Sequence, residues 1–251
     1  MTEHHNPEVK REARYTMVYG LSADPVHQMH IDLVINAARK LAMRGLPMMR
    51  IVLVPVYRRN PAGKRQKGAL VAAYEDRFGM CELAAVEIGR GLGQLEAAID
   101  VSRIDQRLAQ FREEPNYTVE TLQALQSEES PGGNWLLLLG SDLVSGHHPE
   151  LQFWRRPEKL VQLATIAIYP RPGYPVNTEF LTGLERQGAC FIQLAEVAAR
   201  KVSAGQIRAR LKDGDDPLVL YQEGLLPEPV ALFIKERGLY YEYFQRTTPD
   251  Q

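Results

Sequence analysis

The sequence predicts an α/β fold of the Rossmann-like, doubly wound kind: a parallel sheet with helices on both faces. Three observations lead there. Strand-length apolar runs alternate with helix-like segments along most of the chain. A turn of small and polar residues, Ser22 to Pro25, follows the first run. The composition, 45% hydrophobic over 251 residues, can bury a core of that size in one domain.

The first run, residues 15–21, leads into a helix over 30–44. There Ile31, Val34, Ile35, Ala38, Leu41 and Ala42 share one helical face, and Gly45 and Pro47 end the pattern. A second strand is expected over 49–56. It is followed by a polar loop, 57–68, carrying Arg58, Arg59, Lys64, Arg65 and Lys67, and by a helix over 70–88. A strand over 95–101, a helix over 118–127 and a strand over 135–139 come next. A second polar loop, 141–153, holds His147 and His148. Beyond it the pattern gives a helix over 157–163, a strand over 165–169, a helix over 177–186 and a strand over 189–194. Helices over 203–212 and 228–237 close the series. No repeat interrupts it. The expected organisation is one domain over 15–245, between a polar tail over 1–14, expected to be disordered, and a short tail over 246–251.

Thirty basic residues against thirty-one acidic ones give a net charge of −1, which argues against a surface built for nucleic acid. Cys81 and Cys190 are far apart, so neither a disulfide framework nor a zinc ribbon is indicated, and no metal site is assigned. The opening stretch lacks the apolar core of a signal peptide, and no apolar run reaches the length of a spanning helix. A cytoplasmic protein without membrane partners is expected, with a homo-oligomer left open.

In open α/β sheets, ligands sit beyond the carboxyl ends of the strands. After the first strand comes Gly20-Leu21-Ser22-Ala23-Asp24-Pro25-Val26-His27-Gln28-Met29-His30, which sets two histidines three residues apart where a helix begins. Helix N-termini offer unpaired N–H groups and the positive end of a dipole, and adjacent imidazoles add donors for phosphate oxygens. On these residues alone two other readings stand: a histidine capping the helix, or a pair of zinc ligands.

This turn resembles the G-G-x-F-D-P-x-H-x-G-H signature of the nicotinate mononucleotide adenylyltransferases, of the nucleotidylyltransferase superfamily. The likeness continues in order. Asn60 to Lys64 occupies the place of the family's P-P-H-K loop, and Asp76 to Ala84 is similar to its E-R-x-x-M-x-x-L-A helix. Asn116 to Leu122 resembles S-Y-T-x-x-T-L, while Gly140-Ser141-Asp142 with Trp154 resembles the G-x-D and W-K-R-W elements. Arg171-Pro172-Gly173 stands for R-P-G, Val202 to Arg208 for I-S-S-T-x-I-R, and Val230 to Tyr240 for V-x-x-Y-I-x-x-x-x-L-Y.

The resemblance implies transfer of AMP from ATP to nicotinate mononucleotide, giving nicotinate adenine dinucleotide and pyrophosphate in NAD biosynthesis. The acceptor phosphate attacks the α-phosphorus directly, and Mg²⁺ enters through the ATP phosphates. His27, His30 and Arg208 are implied as catalytic, donating to or neutralising the triphosphate. Gly20, Ser22, Asp24, Gly140, Asp142, Ser203 and Ile207 are implied on the nucleotide, with Asp24 fixing the turn through backbone N–H groups. Lys64, Tyr117, Thr118, Trp154 and Arg171 are implied on the acceptor, Trp154 stacking on the pyridine ring. The residues themselves admit plainer roles: Thr118 as a helix N-cap, Trp154 as an ordinary aromatic, and Asp142 and Lys64 as solvated loop residues.

The chain departs from the pattern at Leu21, Ala23, Met29, Gly63, Ala204 and Gly205. A catalytically weak or inactive nucleotide-binding homologue, or a transferase for another phosphorylated acceptor, is therefore the alternative.

Overall fold

The computed structural model describes residues 14–58, 69–129, 133–195 and 202–241. Six parallel strands form one sheet: β1 (Tyr15–Leu21), β2 (Met48–Pro55), β3 (Ala98–Val101), β4 (Asn134–Gly140), β5 (Thr165–Tyr169) and β6 (Phe191–Gln193). Their order is β3-β2-β1-β4-β5-β6. The chain winds outward from β1 through β2 to β3, then returns to the other side of β1 with β4. Their carboxyl ends diverge there, opening a crevice at the switch point.

Alternation along the strands divides the core between the two faces. Met17, Tyr19, Leu21, Ile51, Leu53, Leu136 and Leu138 face one side. They meet α1 (Gln28–Ala42) and α2 (Tyr74–Leu92), together with the C-terminal helices α7 (Ala204–Lys212), α8 (Pro217–Gln222) and α9 (Glu228–Arg237). Val18, Val52, Val54, Trp135, Leu137 and Leu139 face the other. They are covered by α3 (Ile104–Ala109), α4 (Thr118–Glu129), α5 (Pro157–Leu163) and α6 (Thr178–Glu185).

Strands β1 and β5 and helices α5 and α9 have the expected bounds; other elements shift by a few residues, and β3 and β6 are shorter at both ends or at their start. Two helices were not foreseen, α3 and α8, because six residues are too few to display a period. The loop over 141–153 is not wholly irregular: it contains two short 3-10 turns, Ser141–Leu143 and Glu150–Phe153. The helix expected to begin at residue 30 begins at Gln28, which makes His27 its N-cap and places His30 in its first turn.

Candidate active site

At the switch point lies a cleft of about 580 Å³, within the range small-molecule sites occupy. Gly20, Ser22, Ala23 and Asp24 border it at the end of β1 and just beyond; Gly140 and Asp142 do so at the end of β4, and Tyr169 and Arg171 at the end of β5. The starts of two helices complete it, with His27, Met29 and His30 at α1 and Ser203, Ala204, Gly205 and Arg208 at α7. A side cavity of about 90 Å³ opens beside it, between Val18, Gly20, Val54, Asp105, Asn116, Thr118 and Thr121.

The histidine rings stack, centroids 3.7 Å apart and planes 22° apart. His27 caps α1, and His30 Nδ1 accepts its backbone N–H at 3.1 Å. The capping reading and the donor reading therefore coincide for His30. Because Nδ1 is used as an acceptor, neutral His30 carries its proton on Nε2 and can donate from there. Burial and the charge of Arg171 hold His30 down to about 3; burial, His30 and Arg171 hold His27 well below the ordinary imidazole range. Both are neutral hydrogen-bonding groups near pH 7. Among the described residues no group of three or more His, Cys, Asp or Glu could hold a metal ion.

Asp24 is buried, and its carboxylate accepts the N–H groups of Val71 (2.9 Å) and Ala72 (3.1 Å). The bonds it makes are to backbone, as expected, but they reach across to the start of α2 instead of closing its own turn. Arg208 donates to the Asp24 carbonyl and stands 3.7 Å from its carboxylate. The N-terminus of α1 is fastened by Gln28 N–H to the Leu225 carbonyl, 3.0 Å.

Leu21 does not need the conformational freedom of glycine, since it is a buried strand residue whose carbonyl accepts Val56 N–H at 2.9 Å. The left-handed conformation falls two residues later, at Ala23, with φ of 55°. Gly140 is required for space: a Cβ there would overlap the Asp142 carboxylate and lie 3.0 Å from Arg171 Cδ. Asp142 in turn accepts from Arg171 Nη1 at 2.9 Å, and Ser141 Oγ accepts Arg171 N–H at 2.8 Å. Asp142 is thus buried and paired, not a solvated loop residue.

Ser203 caps α7 through its hydroxyl, which accepts Gln206 N–H at 3.2 Å. The N–H groups of Ala204 and Gly205, in the first turn, have no carbonyl within the helix to serve. Thr118 and Trp154 also border the cleft. Three expectations need correction. The Ile207 side chain fills the core beside α1 and does not line the cleft, so only its backbone could serve a nucleotide. The Tyr117 ring packs against the opposite core under the Arg155 guanidinium, 4.8 Å away, and does not line the cleft either. Thr118 is the first residue of α4 and not its cap; Tyr117 precedes the helix, and Glu120 accepts its N–H at 3.4 Å. Lys64 lies outside the described residues.

Arg77, within the Asp76 to Ala84 segment, is buried on α2. Its buried position was legible as a charge on the apolar stripe of α2, aligned with Tyr74, Cys81, Ala84 and Ile88. Tyr19 and Tyr169, at the cleft floor, gave no sequence signal beyond their strands.

A family model described as "Cytidylyltransferase-like" matches residues 18–210. A Streptomyces coelicolor protein described as "Probable nicotinate-nucleotide adenylyltransferase" is 31% identical over 88% of this chain and 98% of its own length. A Sodalis glossinidius protein of the same description is 29% identical over 91% of this chain and 98% of its own. In fold, the chain is similar to Plasmodium falciparum nicotinic acid mononucleotide adenylyltransferase complexed with NaAD. That likeness has a TM-score of 0.65 at 16% identity, over 90% of this chain and 97% of the other.

Proposed function

The chain belongs to the cytidylyltransferase-like family and, within it, to the nicotinate-nucleotide adenylyltransferases; from that membership we propose how its cleft transfers AMP from ATP to nicotinate mononucleotide. The observation that carries the proposal is the convergence of two helix N-termini, the paired histidines and Arg208 on one cleft at the switch point.

A triphosphate laid between the starts of α1 and α7 meets backbone N–H groups, two helix dipoles and Arg208. His30 Nε2–H donates to the oxygens of the α-phosphate, where charge builds as the acceptor phosphate attacks in line and pyrophosphate leaves. His27, stacked on it, holds the ring and supplies a second donor. Arg208 stabilises the departing pyrophosphate. Nothing here requires a covalent intermediate, because placing the two substrates in line removes most of the entropic barrier. Asp142 keeps Arg171 oriented at the floor of the cleft. The acceptor ring lies toward the side cavity, with Trp154 stacking on it and the first-turn N–H groups of α4 meeting its carboxylate.

Mg²⁺ enters with ATP as part of the substrate. Asp24 is occupied by backbone N–H groups and Asp142 by Arg171, so these carboxylates are not offered to an ion, and phosphate oxygens and water are its ligands. No helix among the described residues is long and apolar enough to cross a membrane. The reading carries with it small-molecule partners and a cytoplasmic location.

The test is release of pyrophosphate with formation of nicotinate adenine dinucleotide from ATP, Mg²⁺ and nicotinate mononucleotide. ATP binding without product would give the inactive-homologue reading. Product with a different phosphorylated acceptor only would redirect the substrate assignment.

A further inference from the structure

Arg77 is the largest fully buried side chain among the described residues. Its Nε–H donates to the Ala72 carbonyl at 3.2 Å, and Nη1 donates to the carbonyls of Ser22 at 3.0 Å and Val56 at 2.6 Å. Nη2 donates to the Tyr57 carbonyl at 3.3 Å. These carbonyls belong to three separate segments: the turn after β1, the exit from β2 and the start of α2.

Filling this space does not require a charge. A guanidinium taken out of water costs several kcal/mol before its bonds are counted, and an apolar side chain of similar volume is often as good for stability or better. What only arginine supplies is a rigid fork of five donors able to hold several acceptors at fixed angles. Each segment it holds bears on the cleft. Ser22 and Val56 line it. Ala72 donates its N–H to Asp24, whose own carbonyl receives Arg208.

We propose that Arg77 is a positioning residue for nucleotide binding and transfer, fixing the turn of Ser22 to Asp24 against β2 and α2 and, through Asp24, setting where Arg208 stands. The inference rests on the adenylyl-transfer reading and deepens it. Arg77 touches no substrate; it acts through the geometry of the groups that do. Displacement of such groups by about 1 Å can cost about a hundredfold in rate.

The experiment compares wild type with Arg77→Lys and Arg77→Met. It measures thermal melting, ATP affinity by calorimetry, and kcat and KM for both substrates at a temperature well below every melting point. Lysine keeps the charge but offers one ammonium to four carbonyls; methionine fills the space without a charge. Both variants are expected to weaken ATP binding and lower kcat by tenfold or more, with the acceptor KM changing less and with no rescue by lysine. Wild-type constants in either folded variant would overturn the proposal. Loss of folding in both would overturn it as well, assigning Arg77 to stability alone. If wild type itself shows no turnover, the proposed reaction fails, and ATP affinity still decides the role of Arg77: weakening supports it and equality overturns it.

Discussion

Two glycines border the cleft near strand ends, Gly20 as the penultimate residue of β1 and Gly140 as the last of β4, and alanine at each should produce opposite signatures. At Gly140 a Cβ would overlap the Asp142 carboxylate and lie 3.0 Å from Arg171 Cδ and 3.1 Å from Tyr169 Cζ. The carboxylate must move, and its pair with Arg171 loosens while Asp142 stays buried. Overpacking of this kind costs about 1–3 kcal/mol. At about 2–4 °C per kcal/mol for a chain of this size, a fall in Tm of about 6 °C is expected for the middle of that range. At Gly20 a Cβ meets nothing within 4 Å, so the melting point should hold within about 2 °C. By strand alternation that Cβ shares the face of Val18 and narrows the side cavity, so the KM for the acceptor should rise several-fold. Scanning calorimetry and initial-rate kinetics on the two variants are sufficient. Equal melting points for Gly140→Ala and wild type would refute the packing argument. An unchanged acceptor KM in Gly20→Ala would refute the placement of the acceptor.

Replacing His30 by Ala should lower kcat by about a hundredfold, the scale for losing one preorganised donor, with the fold retained; unchanged kcat would reduce His30 to a helix cap. Acid should destabilise the protein through the same pair, because their folded-state values lie below the unfolded one: stability is full above about pH 6.5 and falls as pH drops toward about 3. The slope is about 1.4 kcal/mol per pH unit for His30, and urea melts between pH 7 and 4.5 should show it shallower by about one proton in His30→Gln. Trp154→Ala should raise the acceptor KM and leave ATP affinity unchanged, as calorimetry with each substrate would report. A site of N–H donors favours a carboxylate over a carboxamide, so kcat/KM for nicotinate mononucleotide should exceed that for the amide form by at least about tenfold, or about 1.4 kcal/mol; equal efficiency would remove the acid preference without touching the transfer reaction.

The departures from the family's turn illustrate how far sequence reasoning reaches. Leu21 stands where the family's turn has glycine, yet the strand simply continues through it, and Ala23 takes up the left-handed backbone. A motif gives residue order but not the position at which φ turns positive. Met29 does line the cleft, so the space it occupies is a feature of the site itself. The short helices α3 and α8 and the 3-10 turns around residues 141–153 leave no signal in the sequence because periodicity needs more than two turns to register.

By itself the sequence determined the alternation of strands and helices, and with it the parallel sheet. It also determined the first βα turn, with His27 and His30 together at a helix start. These are local properties, set by hydrophobic period and by neighbours a few residues apart. Only the tertiary structure decided which distant groups share the cleft. Arg208 reaches the carbonyl of Asp24 across 184 residues, Arg171 pairs with Asp142 across 29, and Arg77 gathers carbonyls 20 and 55 residues behind it. The pair of Arg171 and Asp142 follows from strand order, because the carboxyl ends of β4 and β5 lie side by side, whereas Arg208 and Arg77 reach the turn after β1 from helices packed on one face of the sheet. The tautomer of His30 is likewise decided in three dimensions, by the backbone N–H that its Nδ1 accepts.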